Sequence, residues 1–274
     1  MVMKNKIIKK VLMCEPRHFT VDYSINPWMK IGSVNKKEAY REWLELLEVF
    51  GKLGIEVEVI EQVEGLPDMV FAADQGIVKG DEIIISNFRY EQRQKEVHYY
   101  KKWFEKKQLK IRTLPEGVCF EGGGDSVWFG GKLLVGIGFR GGAKGIKEIR
   151  GIWGDTEVIS LRLINPYFYH LDTCLFVLNQ KTVFYYPDAF SPTAKRKLAQ
   201  LVPNLIPIEK KEAFNFSANS VVTDHHVVLQ EGNRRMMAEL EGLGYKAMET
   251  SVDEFIKAGG GVHCLTGVVN ETSK

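Results

Sequence analysis

The sequence predicts an α/β fold in which five similar units surround one axis. Five segments each place a polar residue ahead of an aliphatic run, and these head residues are Asp74, Asp125, Asp172, Asn219 and Cys264. They are separated by 51, 47, 47 and 45 positions. In four of the segments the chain then turns and becomes aliphatic again, which is typical of a hairpin. A constant period with one supersecondary unit per repeat indicates a radial or stacked array.

The last repeat contains only one strand. Its sequence is VHCLTGVV, and the N-terminal run KKVLMCEPRHF has the composition to supply the missing partner. The start and the end of the chain would then close a ring. Equivalent positions of a ring converge on its axis, so the five head residues are expected to face a common cleft. For this reason we expect Asp125 and Asn219 to contact a substrate bound in that cleft.

Segments with a helical period lie between the hairpins. The first, NKKEAYREWLELLEVFGKLG, begins with a polar cap and places Ala39, Trp43, Leu46, Leu47 and Phe50 on one face. Short strands such as IEVEVIE, LKIRTLP and YKAMET follow most of these helices. Each unit is therefore two strands, a helix and a further strand. No low-complexity linker divides the chain, so residues 1–274 are expected to form a single domain.

The composition argues against several classes of function. Lys and Arg together number 37 and Asp and Glu 35, a balance that predicts neither nucleic-acid nor membrane binding. No apolar run reaches the roughly 18 residues of a membrane span, and the start lacks a secretory pattern, so we expect a cytoplasmic protein. The cysteines lack the close spacing of zinc sites, so we expect reduced thiols, no metal and no cofactor. Cys14 and Cys174 are expected in the core, and the role of Cys119 stays open.

Some polar residues have both a structural and a catalytic interpretation. His170 and Asp172 lie two apart in HLDTC and would share one face of a strand. A lone strand histidine is more often structural, but the head position of Asp172 favours a site.

Glu121 in FEGGGD is equally suited to cap a turn. Cys264 follows His263 and three glycines. Most cysteines are buried and inert, but a histidine and several carboxylates at matched positions of the ring favour Cys264 as a nucleophile.

Acidic groups around a thiol suit a cationic, planar substrate with several N–H donors. A guanidinium has these properties, because carboxylates accept its N–H bonds in pairs. Its charge would also lower the pKa of the cysteine. Arg93 and Arg140 each follow the second strand of a hairpin, where a loop could extend over the ring, although a solvated surface arginine is the alternative for both.

The motifs FAAD, FEGGGD, GFRGG, YHLDTC, YYPDAF and GGGVHCLT follow one another along the whole chain. In this order they resemble the guanidino-group-modifying superfamily, the penteins, whose five ββαβ units surround a pseudo-fivefold axis. The segment MCEPRHFTVDYSINPWM is most similar to the arginine deiminase and arginine dihydrolase branch, with dimethylarginine hydrolases as near relatives. The chain is too short for the extra helical domain of long arginine deiminases.

The resemblance implies catalytic roles for three residues. Cys264 would attack the guanidinium carbon and form a covalent thiouronium intermediate. His170 would protonate the departing amine and then activate water. Glu121 would orient His170.

The resemblance also implies the substrate contacts. Asp74 and Asp172 would bind the guanidinium, Arg93 and Arg140 would hold a substrate carboxylate, and Asn26 would line the amino-acid end. The dihydrolase branch has asparagine where FAAD has Asp74, and that amide goes with a second hydrolysis to ornithine. A single hydrolysis of arginine to citrulline and ammonia is therefore the first expectation.

Other functions stay open at this point. Arginine dihydrolases, dimethylarginine hydrolases and amidinotransferases share the nucleophile and the acids, and the partner in each case is a small guanidino substrate. A binding module on the same fold is the non-enzymatic alternative, but it need not retain Cys264, His170 and Glu121 together. A homo-oligomer is compatible with the sequence.

Overall fold

The computed structural model describes residues 6–273, and within them fifteen strands form five three-stranded sheets. The strands are β1 Lys6–Cys14, β2 Glu56–Ile60, β3 Gly76–Lys79, β4 Glu82–Ile85, β5 Lys110–Arg112, β6 Ser126–Phe129, β7 Lys132–Ile137, β8 Val158–Arg162, β9 Leu175–Val177, β10 Thr182–Tyr185, β11 Asn204–Pro207, β12 Val221–Thr223, β13 His226–Gln230, β14 Lys246–Thr250 and β15 Gly267–Ser273. The helices are α1 Lys36–Lys52, α2 Glu91–Gln94, α3 Glu96–Lys106, α4 Gly122–Asp125, α5 Ala143–Ile152, α6 Pro192–Leu201, α7 Lys210–Ala213, α8 Arg234–Gly242 and α9 Asp253–Ile256.

Each sheet repeats one pairing pattern. The central strand β4 is antiparallel to β3 and parallel to β5, and helices α2 and α3 connect β4 to β5. The same arrangement recurs in β6–β7–β8, β9–β10–β11 and β12–β13–β14, with α5, α6 and α8 as the connecting helices. The ββαβ unit expected from the period is therefore confirmed.

The fifth sheet joins the two ends of the described chain. Strand β1 is antiparallel to β15, with Val11 opposite Val268 and Leu12 opposite Gly267. On its other side β1 is parallel to β2, which α1 connects to it. The N-terminal run thus supplies the second strand that the last repeat lacks, and the predicted pentein ring of five units is confirmed.

Helix α1 shows how local sequence sets an element of the outer layer. The Asn35 side chain accepts hydrogen bonds from the backbone of Lys37 and Glu38, an N-cap that stabilises a helix by about 1 kcal/mol. The predicted apolar face is buried against the core, apart from a half-buried Leu47. Among residues 6–273 no helix is long and apolar enough to cross a membrane.

The head residues stand in short turns and not in strands. A single helical turn precedes β3, β6 and β9, at Ala72–Gln75, Gly122–Asp125 and Leu171–Thr173. The expectation that His170 and Asp172 lie on a strand is therefore wrong. The reason is local: Thr173 Oγ1 donates to the His170 carbonyl and Cys174 N to the Leu171 carbonyl, and these bonds replace those of a ladder.

Candidate active site

Cys264 lies in the turn that precedes β15, and its side chain is buried. Its Sγ is 3.0 Å from Oδ2 of Asp172 and 3.1 Å from Nδ2 of Asn219. Burial raises the pKa of the thiol well above its ordinary value, and the charges of Asp172 and Asp74 raise it further. Without a ligand the thiol is protonated and donates to Asp172. A cation placed against these carboxylates would favour the thiolate.

Asn219 connects the cysteine turn to the carboxylate. Its Oδ1 accepts from the backbone N–H groups of Gly261 and Cys264, both at 3.1 Å. Its Nδ2 donates to Asp172, at 3.2 Å to the carbonyl oxygen and 3.0 Å to Oδ2. Both ends of the Asn219 amide are thus hydrogen-bonded within the protein, and these bonds position Cys264. A direct contact of Asn219 with substrate stays a prediction.

His170 is buried between two carboxylates. Its Nε2 is 2.8 Å from Oε2 of Glu121, and its Nδ1 is 3.7 Å from Oδ1 of Asp74. Burial lowers the pKa of His170, but Asp74 and Glu121 outweigh burial and raise the pKa to about 9. The imidazole is therefore positively charged at neutral pH and able to give a proton to a leaving group.

Glu121 is not a turn cap, because its carboxylate has three other partners. Oε1 accepts a hydrogen bond from the backbone N–H of Arg89 at 3.1 Å. Oε2 is hydrogen-bonded to Nε2 of His170 and accepts from Nη1 of Arg140 at 3.0 Å. Burial raises the pKa of Glu121, but Arg140 and His170 outweigh it and hold the pKa below its usual range. Glu121 therefore stays charged and fixes the orientation of the imidazole.

Arg140 is buried, and its guanidinium lies between two aromatic rings. The ring centroids of Tyr90 and Tyr169 are 4.7 and 4.5 Å from its Cζ. Besides Glu121, it donates through Nη2 to the Ile25 carbonyl at 3.3 Å. Arg140 therefore connects the N-terminal segment at Ile25 to Glu121, the partner of His170. It is not a solvated surface arginine.

Arg93 is also buried, on the short helix α2. Its Nη1 is 2.6 Å from Oδ2 of Asp74, its Nη2 is 3.0 Å from Oε2 of Glu96, and the same Nη2 donates to the Asp68 carbonyl at 3.2 Å. The ring of Phe88 lies 4.3 Å from its Cζ. Arg93 therefore fixes Oδ2 of Asp74, while Oδ1 lies near Nδ1 of His170.

Two carboxylate oxygens near the thiol are unsatisfied. Within the described part of the chain, neither Oδ1 of Asp74 nor Oδ1 of Asp172 has a hydrogen-bond partner, although both are buried. Asp74, Asp172 and Cys264 each offer a ligand atom within 4.8 Å of the others. Such a group could hold a metal ion or a planar cation with several donors. We expect the organic cation, because each carboxylate already has a second oxygen engaged by the protein.

The two remaining predicted residues lie around this centre. Asp125 accepts from the backbone N–H of Glu121 at 2.9 Å, so it holds the turn that carries Glu121. Asn26 donates to the Ala258 carbonyl at 3.0 Å and accepts from the backbone of Trp28 at 2.9 Å. For both, contact with substrate stays a prediction.

Sequence reasoning assigned no role to three polar residues that the fold brings to the site. Asp68 is buried, accepts from Tyr23 at 2.9 Å and has an unpartnered Oδ1 among the described residues. Glu96 pairs with Arg93, and His263 Nδ1 lies 3.0 Å from Oδ2 of Asp172. Asp68 and Glu96 are not head residues, so the repeat carried no signal for them. His263 adjoins a head residue, and its neighbour Cys264 was the only available indication.

A ring of five ββαβ units with a thiol, an imidazole and carboxylates at its heads defines the class of guanidino-group-modifying proteins. Comparison with known proteins agrees. Residues 15–270 match the family described as N,N dimethylarginine dimethylhydrolase, eukaryotic. The N(G),N(G)-dimethylarginine dimethylaminohydrolase of Mycobacterium tuberculosis is 36% identical over 94% of this chain and 85% of that protein. The chain belongs to this family of guanidino-group hydrolases.

Two further relatives are longer proteins. The bifunctional arginine dihydrolase/ornithine cyclodeaminase ArgZ of Synechocystis sp. is 38% identical over 96% of this chain, which spans 38% of ArgZ. The structure of the binary complex of the AgrE C264A mutant with L-arginine superimposes with a TM-score of 0.93 at 36% identity. That match covers 97% of this chain and 40% of AgrE.

Proposed function

We propose that this chain hydrolyses the guanidino group of arginine to citrulline and ammonia through a covalent intermediate on Cys264. The observation that carries the proposal is the pair of buried, unpartnered oxygens, Asp74 Oδ1 and Asp172 Oδ1. A guanidinium has enough N–H donors to satisfy both oxygens at once. Bound there, its carbon would lie beside Sγ, since the three groups offer atoms within 4.8 Å of one another.

The first half of the reaction transfers the amidino group to sulfur. The bound cation favours loss of the thiol proton to solvent, and the Cys264 thiolate attacks the guanidinium carbon to form a C–S bond. One C–N bond breaks as His170 gives its proton to that nitrogen, which leaves as ammonia. The product is an S-alkylthiouronium cation on Cys264, with His170 neutral.

The second half returns the thiolate. Neutral His170 takes a proton from a water molecule, whose oxygen forms a C–O bond with the thiouronium carbon. The C–S bond then breaks, the electron pair returns to sulfur, and the second proton of the water passes to solvent or ammonia. Citrulline, the thiolate and protonated His170 result. The thiolate takes a proton from solvent as citrulline leaves, which restores the starting state.

The amino-acid end of the substrate needs a cationic and an anionic contact. Arg93 and Arg140 are proposed to hold the carboxylate, and Asn26 to line the same end. The unpartnered Oδ1 of Asp68, beside Arg93, is a further group that an α-ammonium would satisfy. The complex of AgrE with L-arginine supports a free amino acid as substrate.

Asp74 favours one hydrolysis over two. A carboxylate neutralises and binds a guanidinium, but it offers no donor to the oxygen of a neutral ureido group. Citrulline would therefore be bound weakly and released before a second attack. The relatives ArgZ and AgrE carry the description arginine dihydrolase, so conversion to ornithine is the outcome that a product assay must exclude.

Hydrolysis of dimethylarginine to citrulline and dimethylamine is the second candidate. The match to the family over residues 15–270 and the Mycobacterium tuberculosis relative favour it. The same two-step mechanism applies, because only the substituents on the departing nitrogen differ.

We further propose that residues 1–274 act as one catalytic domain in the cytoplasm. Pairing of β1 with β15 supports a single domain, because it places both ends of the described chain in one sheet. The expected partner is a small guanidino substrate, with neither nucleic acid nor membrane. Self-association into a homo-oligomer stays a prediction.

The test is a product assay with arginine and asymmetric dimethylarginine as separate substrates, and with Cys264→Ser as the inactive control. We expect arginine to give citrulline and one equivalent of ammonia, with no ornithine. Stoichiometric ornithine with two equivalents of ammonia would place the chain among the dihydrolases. A higher kcat/KM for dimethylarginine, with dimethylamine released, would favour the second candidate.

A further inference from the structure

A cavity on the opposite side of the ring from Arg93 and Arg140 ends beside the head residues. The inner strands β3, β6, β9, β12 and β15 surround a cavity of about 710 Å³, called here the axial cavity. Its outer end lies at hairpin turns that include Gly130 and Asn179, and its inner end is lined by Asp172 and His263. The cavity therefore runs along the axis from the hairpin turns to the head residues.

The inner end adjoins the reacting sulfur. Asp172, which lines the cavity, has Oδ2 3.0 Å from Sγ of Cys264. Its other oxygen, Oδ1, is buried and has no hydrogen-bond partner among residues 6–273. His263 is bonded to the same carboxylate, and its side chain is 22% exposed. One carboxylate and one imidazole thus separate the cavity from the thiol.

The lining suits small molecules. Near the head residues it consists of small side chains or none, at Ala73, Gly76, Gly123, Ser126 and Thr266. Farther out it is formed by aliphatic and aromatic side chains of the inner strands. A buried water molecule needs about two to four polar partners, and the carboxylate of Asp172 and the imidazole of His263 offer polar atoms at this end of the cavity.

The loops that carry Arg93 and Arg140, called here the substrate loops, lie at the end of the sheets opposite the hairpin turns. Arg93 and Arg140 follow β4 and β7, which run antiparallel to the inner strands and so end beside the head residues. Neither arginine, nor Asn26, is among the described residues that line the axial cavity. A substrate held by these groups would occupy the loop side with its aliphatic chain throughout the covalent stage.

We propose that the axial cavity is a second access route, through which ammonia leaves and the hydrolytic water enters while the thiouronium intermediate blocks the substrate entrance. The inference rests on the proposed function, since it needs a covalent intermediate. Ammonia formed by the first C–N cleavage passes Asp172 and His263 into the cavity, and one water molecule returns by the same path. Asp172 supplies an acceptor for either molecule, and His263 is a positioning residue that holds its carboxylate.

The experiment narrows the cavity away from the reacting groups. Val127 on β6 and Val222 on β12 are half-buried and line it, so Val127→Trp and Val222→Phe would obstruct it. Val57→Trp is the matched control, because Val57 is half-buried on the outer strand β2 and is not among the lining residues. For each folded variant, kcat and KM for arginine are measured, together with the fraction of Cys264 carrying the adduct in quenched steady-state samples.

We expect kcat to fall at least about tenfold in the obstructed variants, with KM not raised and the adduct fraction increased, because water must reach the intermediate. Wild-type kcat and adduct fraction in either obstructed variant would overturn the inference alone. If Val127→Trp and Val222→Phe do not fold, Val127→Leu and Val222→Ile provide a graded test with the same two outcomes. A wild-type chain that forms neither citrulline nor adduct would overturn the proposed function, and the inference with it.

Discussion

Asp74 and its neighbouring carboxylates keep both His170 and Cys264 protonated, which leaves the imidazole charged and the thiol neutral. Asp74 and Glu121 raise the pKa of His170 against the effect of burial, so the imidazole is charged. Burial, Asp172 and Asp74 raise the pKa of Cys264, so the thiol is neutral. A pocket with this charge favours cations, and the thiolate becomes accessible only when a cation is bound. The resting enzyme is thus protected from thiol chemistry without substrate.

The pH dependence of the rate should report His170. In the free enzyme kcat/KM should rise with pH as the thiol ionises and level off near pH 9, where His170 begins to lose its proton. His170→Asn should reduce kcat by about 10²–10⁴-fold and abolish the change of slope near 9. Steady-state kinetics from pH 6 to 10 provide the measurement. A purely structural histidine would instead give a variant that is less stable but still active.

The pH dependence of stability should show the same group. The folded pKa of His170, about 9, is above the ordinary value of 6.5, so its contribution is complete below 6.5 and is lost as pH rises through 9. A shift of this size corresponds to about 3 kcal/mol. Urea unfolding at pH 6 and pH 9.5 should show this loss in the wild type and little of it in His170→Asn. An equal loss in both proteins would assign it to other groups.

Asp74 should determine how tightly the guanidinium is bound. Asp74→Asn removes a charge-assisted contact and should weaken arginine binding by about 1.5–3 kcal/mol. Because Asp74 also pairs with Arg93, Glu96→Gln is the matched control, since it weakens another partner of Arg93. Calorimetric titration of arginine into each variant in a Cys264→Ser background would compare them. Equal losses would mean that the effect is transmitted through Arg93.

At the level of elements, the site depends on how closely the head turns approach each other. Helix α4 begins after Glu121 and passes His170 so closely that a Cβ built on Gly124 would lie 2.7 Å from Nδ1 of His170 and also against Asp74 Oδ1. Real Cβ contacts are never this short, so a side chain there would displace one of the two groups. Gly124 is therefore required by packing against His170 and Asp74, not by its backbone angles.

Gly124→Ala should accordingly reduce kcat/KM by about 10²-fold, because a displacement of about 1 Å in a catalytic group has that effect. Gly151→Ala, in helix α5, is the control: a Cβ there meets nothing within 4 Å. It should leave activity unchanged and stabilise the helix by up to about 1 kcal/mol. Kinetics and melting temperatures of both variants test this, and full activity of Gly124→Ala would contradict the packing argument.

The elements that the sequence predicted best are those with a local pattern. Alternating aliphatic hairpins and the amphipathic face of α1 are visible in the chain itself, and both were confirmed. The hydrophobic pattern predicts strand at Leu171–Thr173, where the structure has a helical turn, because the competing hydrogen bond from Thr173 Oγ1 leaves no trace in hydrophobicity. The burial of Arg93 with Glu96 was also missed, since a charged pair three residues apart normally lies on a helix surface.

At the scale of the whole molecule, the ring brings together groups that no single unit contains. Asp74 precedes β3, Glu121 precedes β6, His170 precedes β9, Asn219 precedes β12 and Cys264 precedes β15. The period alone predicts the convergence of Asp74, Asn219 and Cys264, because equivalent positions of a closed array meet at its axis. The roles of Glu121 and His170 come from their motifs and from the family resemblance. The period carries no signal for Asp68, which is not a head residue. It also does not predict the axial cavity, because the width of that cavity depends on the side chains that the five inner strands direct toward the axis.

The central claim is that Cys264 forms a covalent intermediate with the guanidino carbon of an arginine-like substrate. The most direct measurement is a reaction with arginine quenched during turnover, followed by mass analysis of the peptide that contains Cys264. We expect that peptide to gain the mass of arginine less ammonia in the wild type, and Cys264→Ser to give neither the adduct nor citrulline while still binding arginine. An unmodified Cys264 peptide during active citrulline formation, or turnover by Cys264→Ser, would contradict the account.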